Sequence, residues 1–439
     1  MAQRSLLPAP YIAGRFKQVK NADKPVRLAL FVLFVLMPLA YMGAVLKNID
    51  FEFVFLAIWL LTGVLAMYAE VQVKPKAKLK AFHYLSLGLV LIGVPGLAVS
   101  QPRTVALIYL FGFIGVILIK LIVVLMIIPR CLYESNVSPV RVLIRGLLTG
   151  ALLTCVINNV LYAARGVTIL TPGRALFTDW FHPNAAALYG SITVLAAIIE
   201  PNLNKWYKAF AIGTGFYTLL VTQGRSSLFS TLGILAFLFL LELVHDPKKY
   251  AVQGMLWLAS LAGGSVVLAG AIRNLPAIKN IEERTFQSDD PLAGRLDYIE
   301  FSIEYWSKSQ LIGFGQKQAP AVDSFWMASL MQYGILGLFI YVVFYLVSGY
   351  RGYKLFTSKN PELRLLGKFI MMVTLSFFVR SFTDDNHALQ LSNIVGNVYC
   401  IAVGLAFLVD PSSKRWMTQE TGKLPVPQGP TLVRPEPAG

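Results

Sequence analysis

TVALIYLFGFIGVILIKLIVVLMII, Thr104–Ile128, is an unbroken apolar run with a single charge, Lys120. A helix rises about 1.5 Å per residue, so such a run is long enough to cross an apolar layer about 30 Å thick. Backbone donors and acceptors meet no water in that layer, and a helix satisfies them within one segment. Comparable runs recur along the chain and set the expected fold class, an all-α integral membrane protein. Composition agrees: of 439 residues 56% are hydrophobic and 14% are charged, with a mean hydropathy of +0.61. Soluble domains carry about 25% charged residues, so these values argue against a water-soluble fold.

Working outward from that run, a bundle of twelve transmembrane helices is expected, with spans at 28–46, 52–69, 82–99, 104–128, 144–163, 184–199, 207–222, 227–244, 253–271, 324–347, 365–380 and 389–409. An even number puts both termini on one side. The segments on that side hold 26 of the 39 lysines and arginines, the opposite segments hold 12, and Lys120 lies within a span. Basic residues accumulate on the cytoplasmic side of membrane proteins, which makes both termini cytoplasmic. The expected organisation is a basic cytoplasmic N-terminus (1–27), spans one to nine (28–271), an extracytoplasmic loop (272–322), spans ten to twelve (323–409) and a disordered cytoplasmic tail (410–439). The tail is rich in Pro, Lys and Glu. A basic polar stretch precedes the first apolar run, which reads as a retained span and not a cleaved signal. The formal charge of +16 is spread through short loops, so no nucleic-acid partner is indicated. Cys131, Cys155 and Cys400 have no CxxC or CxxH spacing and read as buried apolar residues.

The long loop at 272–322 departs from the pattern. Its centre, GRLDYIEFSIEYWSKSQLIGFG (Gly294–Gly315), places Leu296, Ile299, Ile303 and Trp306 at helical spacing, with Glu300, Glu304 and Lys308 four apart on another face. This predicts an amphipathic helix over the mouth of the bundle or in the interface. The alternative is a surface helix with a packing role only.

Polar groups at the extracytoplasmic ends form a short inventory, and charge near a membrane is costly unless it pairs or works. Arg225 sits in VTQGRSSLFS, a turn of small donors that suits an anion, although one interfacial arginine also serves as an anchor. Arg295 opens the loop helix against the helix dipole, balanced by an anion or by Asp289, Asp290 and Asp297. Arg174, in TPGRALFTDW, is a third external arginine. His182, in FHPNAAALYG, is a general-base candidate or an interfacial aromatic, with Pro183 suited to a helix start. FVRSFTDDNHALQ gathers Arg380, Asp384, Asp385 and His387 into a solvated turn or the wall of a site. Asp323, in VDSFWMASLMQYGILGL, is a helix N-cap or a functional carboxylate. Several external arginines suit a diphosphate, whose oxygens take paired charge-assisted hydrogen bonds. There is no GxxxxGK[ST] and no HExxH, so neither nucleotide nor zinc chemistry is supported, and no metal or other cofactor is indicated.

In order and spacing, HPN at a span start, GRSS, the long loop, GRLDYIEFSIEYWSKSQLIGFG and DSFWMASLMQYGILGL together resemble the O-antigen ligase and O-antigen polymerase (Wzy-type) superfamily of bacterial envelope proteins. The resemblance covers residues 140 to 410. It implies a metal-independent glycosyltransferase at the outer face of the inner membrane, with a polyprenyl-diphosphate-linked oligosaccharide as donor and Arg225 and Arg295 on the diphosphate. Arg174 and Arg380 are further candidates for that role. Family members often carry a His where this chain has Asp323–Ser324, so the base stays open among Asp323, His182 and His387. A polysaccharide polymerase for O-antigen, capsule or exopolysaccharide assembly is the expected function. A ligase acting on lipid A core or protein is the alternative, and a transporter of an anionic or lipid-linked solute is the alternative of another class. Expected partners are membrane lipids, with a chain-length regulator and a flippase as further candidates.

Overall fold

A computed structural model describes residues 24–36, 51–91, 115–134, 138–171, 183–248, 275–283, 295–315, 319–320, 322, 324–382 and 393–410. Among these residues every regular element is helical. In chain order they are α1 (24–36, π-helical over Val32–Leu36), α2 (Phe51–Val73), α3 (Ala81–Leu91) and α4 (Gly115–Glu134, π-helical over Ile122–Ile127). Next come α5 (Pro139–Ala164), α6 (Pro183–Ile199), α7 (Lys205–Thr222), α8 (Arg225–His245), α9 (Pro276–Glu282) and α10 (Arg295–Ser307). The last are α11 (Phe325–Phe356), α12 (Pro361–Arg380) and α13 (Ile394–Leu408). Within these residues α4, α5, α8 and α11 are long and apolar enough to cross a membrane, which fits an all-α membrane protein. The expected span at 253–271 lies outside the described residues, as do 37–46, 92–99 and 104–114.

A helix that is apolar on every side belongs in the interior. So it is with α6 and α13, which are buried along nearly their whole length. On α6, Gly190 meets α7 at Gly215; a Cβ on either would lie within 2.9 Å of the other's carbonyl oxygen, so the absence of side chains lets the two backbones touch.

Charge separates to one end of the bundle. There Arg130 pairs with Glu70 (2.5 Å), Arg141 with Glu362 (2.7 Å) and Arg145 with Glu200 (3.1 Å). Glu242 of α8 pairs with both Arg364 and Lys368 of α12. Arg351 donates to the carbonyls of Ala406 (3.0 Å) and Val409 (2.7 Å), closing the end of α13. These cations and carboxylates come from different helices, so each pair fixes one helix against another.

Several boundaries differ from the sequence expectation. The span expected at 324–347 is a helix that continues to Phe356 and is broken at Gly334, whose φ is positive and whose conformation is reserved for glycine. The break has a partner. Main chain following α10 docks into it, with Phe314 N–H donating to Met331 O (2.9 Å), Gly315 N–H to Gln332 O (2.9 Å) and Ile335 N–H to Gln310 O (2.9 Å). Gly313, also at positive φ, completes the fit, since a Cβ there would lie 2.6 Å from Gln332 O. The amphipathic helix is present as α10, with Lys308 and Glu304 paired across one turn at 3.7 Å. Its buried side differs from the expected one: Ser302 is fully buried and Tyr305 packs against Phe314, whereas Ile303 is exposed.

Gly334→Ala places a Cβ against the Leu311 carbonyl in backbone only glycine tolerates, and we expect a loss of about 3 kcal/mol. Thermal unfolding in detergent checks this against Gly233→Ala, which meets open space and leaves stability unchanged or slightly higher.

Candidate functional site

The end of the bundle opposite the ion pairs is built from the starts of α6, α8, α11 and α13 and the finish of α12. Two residues link α7 to α8: Gln223, left-handed and buried, and Gly224. A Cβ at Gly224 would lie 2.6 Å from the Ala187 Cβ on α6, so glycine is what lets α8 begin this close to α6. Arg225 is the first residue of α8 and is half-buried.

Arg380 ends α12, where a cation complements the helix dipole. It is fully buried, and its guanidinium donates to Ser227 Oγ on α8 and to the Asn184 carbonyl on α6 (3.1 Å). The next residue, Ser381, offers its carbonyl to Ser324 Oγ (3.1 Å) and to Trp326 N–H (3.4 Å) at the start of α11. One helix end therefore grips three helix starts. A Thr374–Tyr399 hydrogen bond (2.8 Å) ties α13 to α12 below it. Deeper by one turn, the Thr231 and Ser191 hydroxyls are hydrogen-bonded to each other (2.6 Å), which locks α8 to α6 again.

The structure thus brings together the GRSS turn, Arg380 and the segment next to Asp323. Arg225 stands at the surface of this cluster and Arg380 inside it. Arg295 is the first residue of α10, as expected, with its side chain outside the description. Asp323, His182, His387 and Arg174 lie outside the described residues. The capping role considered for Asp323 belongs to its neighbour: Ser324 Oγ accepts from Met327 N–H (3.4 Å). Sequence reading missed Ser324, Ser381 and the Thr231–Ser191 pair, because each bonds to a residue far away in sequence. A serine directly after a candidate carboxylate and before an apolar run was the available signal for the cap.

The starts of α6, α8 and α11, each the positive pole of a helix, meet at Arg380 and Ser381, with half-buried Arg225 beside them. This arrangement can hold an anionic group and stabilise charge that develops on it. No protein-family model matches the chain, and a search of curated proteins returns no match.

Gly224→Ala overpacks the α6–α8 contact, with an expected loss of about 1–3 kcal/mol. Adding Ala187→Gly reopens the space. Thermal unfolding of the double variant is expected to show less destabilisation than the two single losses combined.

Proposed function

We propose that the chain is a polysaccharide polymerase. It transfers a polyprenyl-diphosphate-linked glycan onto a second lipid-linked repeat unit at the outer face of a bacterial inner membrane, during O-antigen, capsule or exopolysaccharide assembly. The observation that carries this reading is the gathering of helix starts and arginine at one end of a bundle whose other end holds the buried ion pairs. In this reading the chain crosses twelve times, the ion-paired end faces the cytoplasm, and the arginine end faces the periplasm. The resemblance of the GRSS, GFG and QYGILGL segments to the O-antigen ligase and polymerase superfamily supports the same assignment.

Arg225 and Arg295 engage the diphosphate, which is the leaving group. Stabilising its charge lowers the barrier without a metal. The acceptor hydroxyl gives its proton to Asp323, next in sequence to the cap of α11, or to His182, next in sequence to the start of α6, or to His387, in the segment that follows α12. Exposed apolar side chains of α8 and α11, among them Phe229, Leu232, Leu336 and Phe339, offer a bed for the polyprenyl chain. The helix α10 positions the glycan above the leaflet.

One observation favours a second reading, transport of an anionic or lipid-linked solute. Lys120 of α4 is fully buried, with its ammonium over the face of the Trp59 ring. Ionisable groups inside a membrane bundle often mark a pathway.

Complementation of a polymerase-deleted strain of the source organism decides. The wild-type gene is expected to restore a ladder of surface glycan, whereas Arg225→Ala and Arg295→Ala, at equal membrane levels, leave single repeat units. A normal ladder from both variants removes the diphosphate assignment. Free long polymer in the deleted strain itself turns the reading to a ligase, and solute flux in liposomes without glycan extension turns it to a transporter.

A further inference from the structure

We propose that Arg380 is the positioning residue of this site, holding the turn that presents Arg225 instead of touching the anionic ligand itself. The inference rests on the diphosphate reading above. Three observations carry it. The Arg380 side chain has no solvent exposure, so a ligand arriving from outside meets Arg225 first. Its two terminal amino groups are both engaged by protein acceptors, Ser227 Oγ and the Asn184 carbonyl. Ser227 stands just after Arg225 in the same first helical turn, and its carbonyl also takes the hydroxyls of Ser230 (3.1 Å) and Thr231 (2.5 Å). Holding Ser227 therefore fixes the direction in which that turn points.

A guanidinium is suited to this task because it is planar, keeps its charge and presents two donors in a fixed fork. An ammonium in its place is a point charge that reaches one acceptor well, so Arg380→Lys preserves charge and loses the fork. The second acceptor is a backbone carbonyl on α6, so the same fork sets the spacing between the starts of α6 and α8.

The test is a double-mutant cycle on the full-length protein in detergent, with farnesyl diphosphate as probe and its dissociation constant as readout. The variants are Arg225→Ala, Arg380→Lys, their combination, and Ser227→Ala alone and together with Arg225→Ala, each checked for a monodisperse chromatographic profile. Removal of one charge-assisted contact predicts roughly ten- to a hundredfold weaker binding for Arg225→Ala. Arg380→Lys is expected to weaken binding by at least about threefold, and the combination to bind no more weakly than Arg225→Ala alone, because a misdirected arginine and a missing one are equivalent. Losses that multiply in the combination would make Arg380 a ligand in its own right and overturn the proposal. Wild-type affinity in Arg380→Lys would reduce Arg380 to packing, with the same consequence. Should Arg380→Lys not yield folded protein, Ser227→Ala carries the test: weaker binding, absent when Arg225 is already alanine, is expected, and unchanged affinity overturns it. Wild-type affinity in Arg225→Ala is a different failure, which removes the diphosphate reading and the positioning role together.

Discussion

A guanidinium removed from water loses several kcal/mol of solvation and persists only where the protein supplies acceptors in its plane. Arg380 imposes that demand at the end of α12. Meeting it draws Ser227 of α8 and the Asn184 carbonyl of α6 to one point, while the adjacent Ser381 carbonyl takes up α11. These are the elements that carry Arg225 and adjoin Asp323. Apolar packing between these helices is non-directional and sets no helix rotation by itself. Directional bonds supply what grease cannot.

The two ends of the bundle solve the burial of polar groups in opposite ways. At one end carboxylates and cations neutralise each other: Glu200, Glu242 and Glu362 are buried and each meets an arginine from another helix. At the other, Arg380 donates to a hydroxyl on α8 and a backbone carbonyl on α6. The first arrangement leaves little net field. The second ties a cation directionally to two other helices. The basic residues at that end thus serve as partners of buried glutamates.

Much of this was legible in the sequence. Apolar windows located the long helices because length and hydropathy are local properties, and the spacing of Glu304 and Lys308 announced α10. The break in α11 was not legible. MQYGILGL reads as an uninterrupted apolar run, and Gly334 breaks it only because main chain at Gln310–Gly315 arrives from another segment to take the freed carbonyls. Nor was the burial of Arg380. FVRSFTDD looks like a solvated turn until Ser227, from a distant part of the chain, closes on the guanidinium. The capping question went the same way, because Asp and Ser stand side by side and only geometry selects Ser324.

These non-local contacts form one continuous path. From α10 it passes through the glycine-rich segment at 310–315 into the break of α11. It continues along the first turns of α11 to Ser324 and Trp326, across to Ser381, and through Arg380 to Ser227 and the turn that bears Arg225. Each step is a hydrogen bond, a helix or the short 308–315 segment, so α8 and α10 belong to one connected frame. Under the proposed diphosphate reading such bracing matters, because helix starts held in advance need no ordering when charge develops on a leaving oxygen. The GFG and QYGILG segments act here through main chain, bracing the segment after α10 against α11.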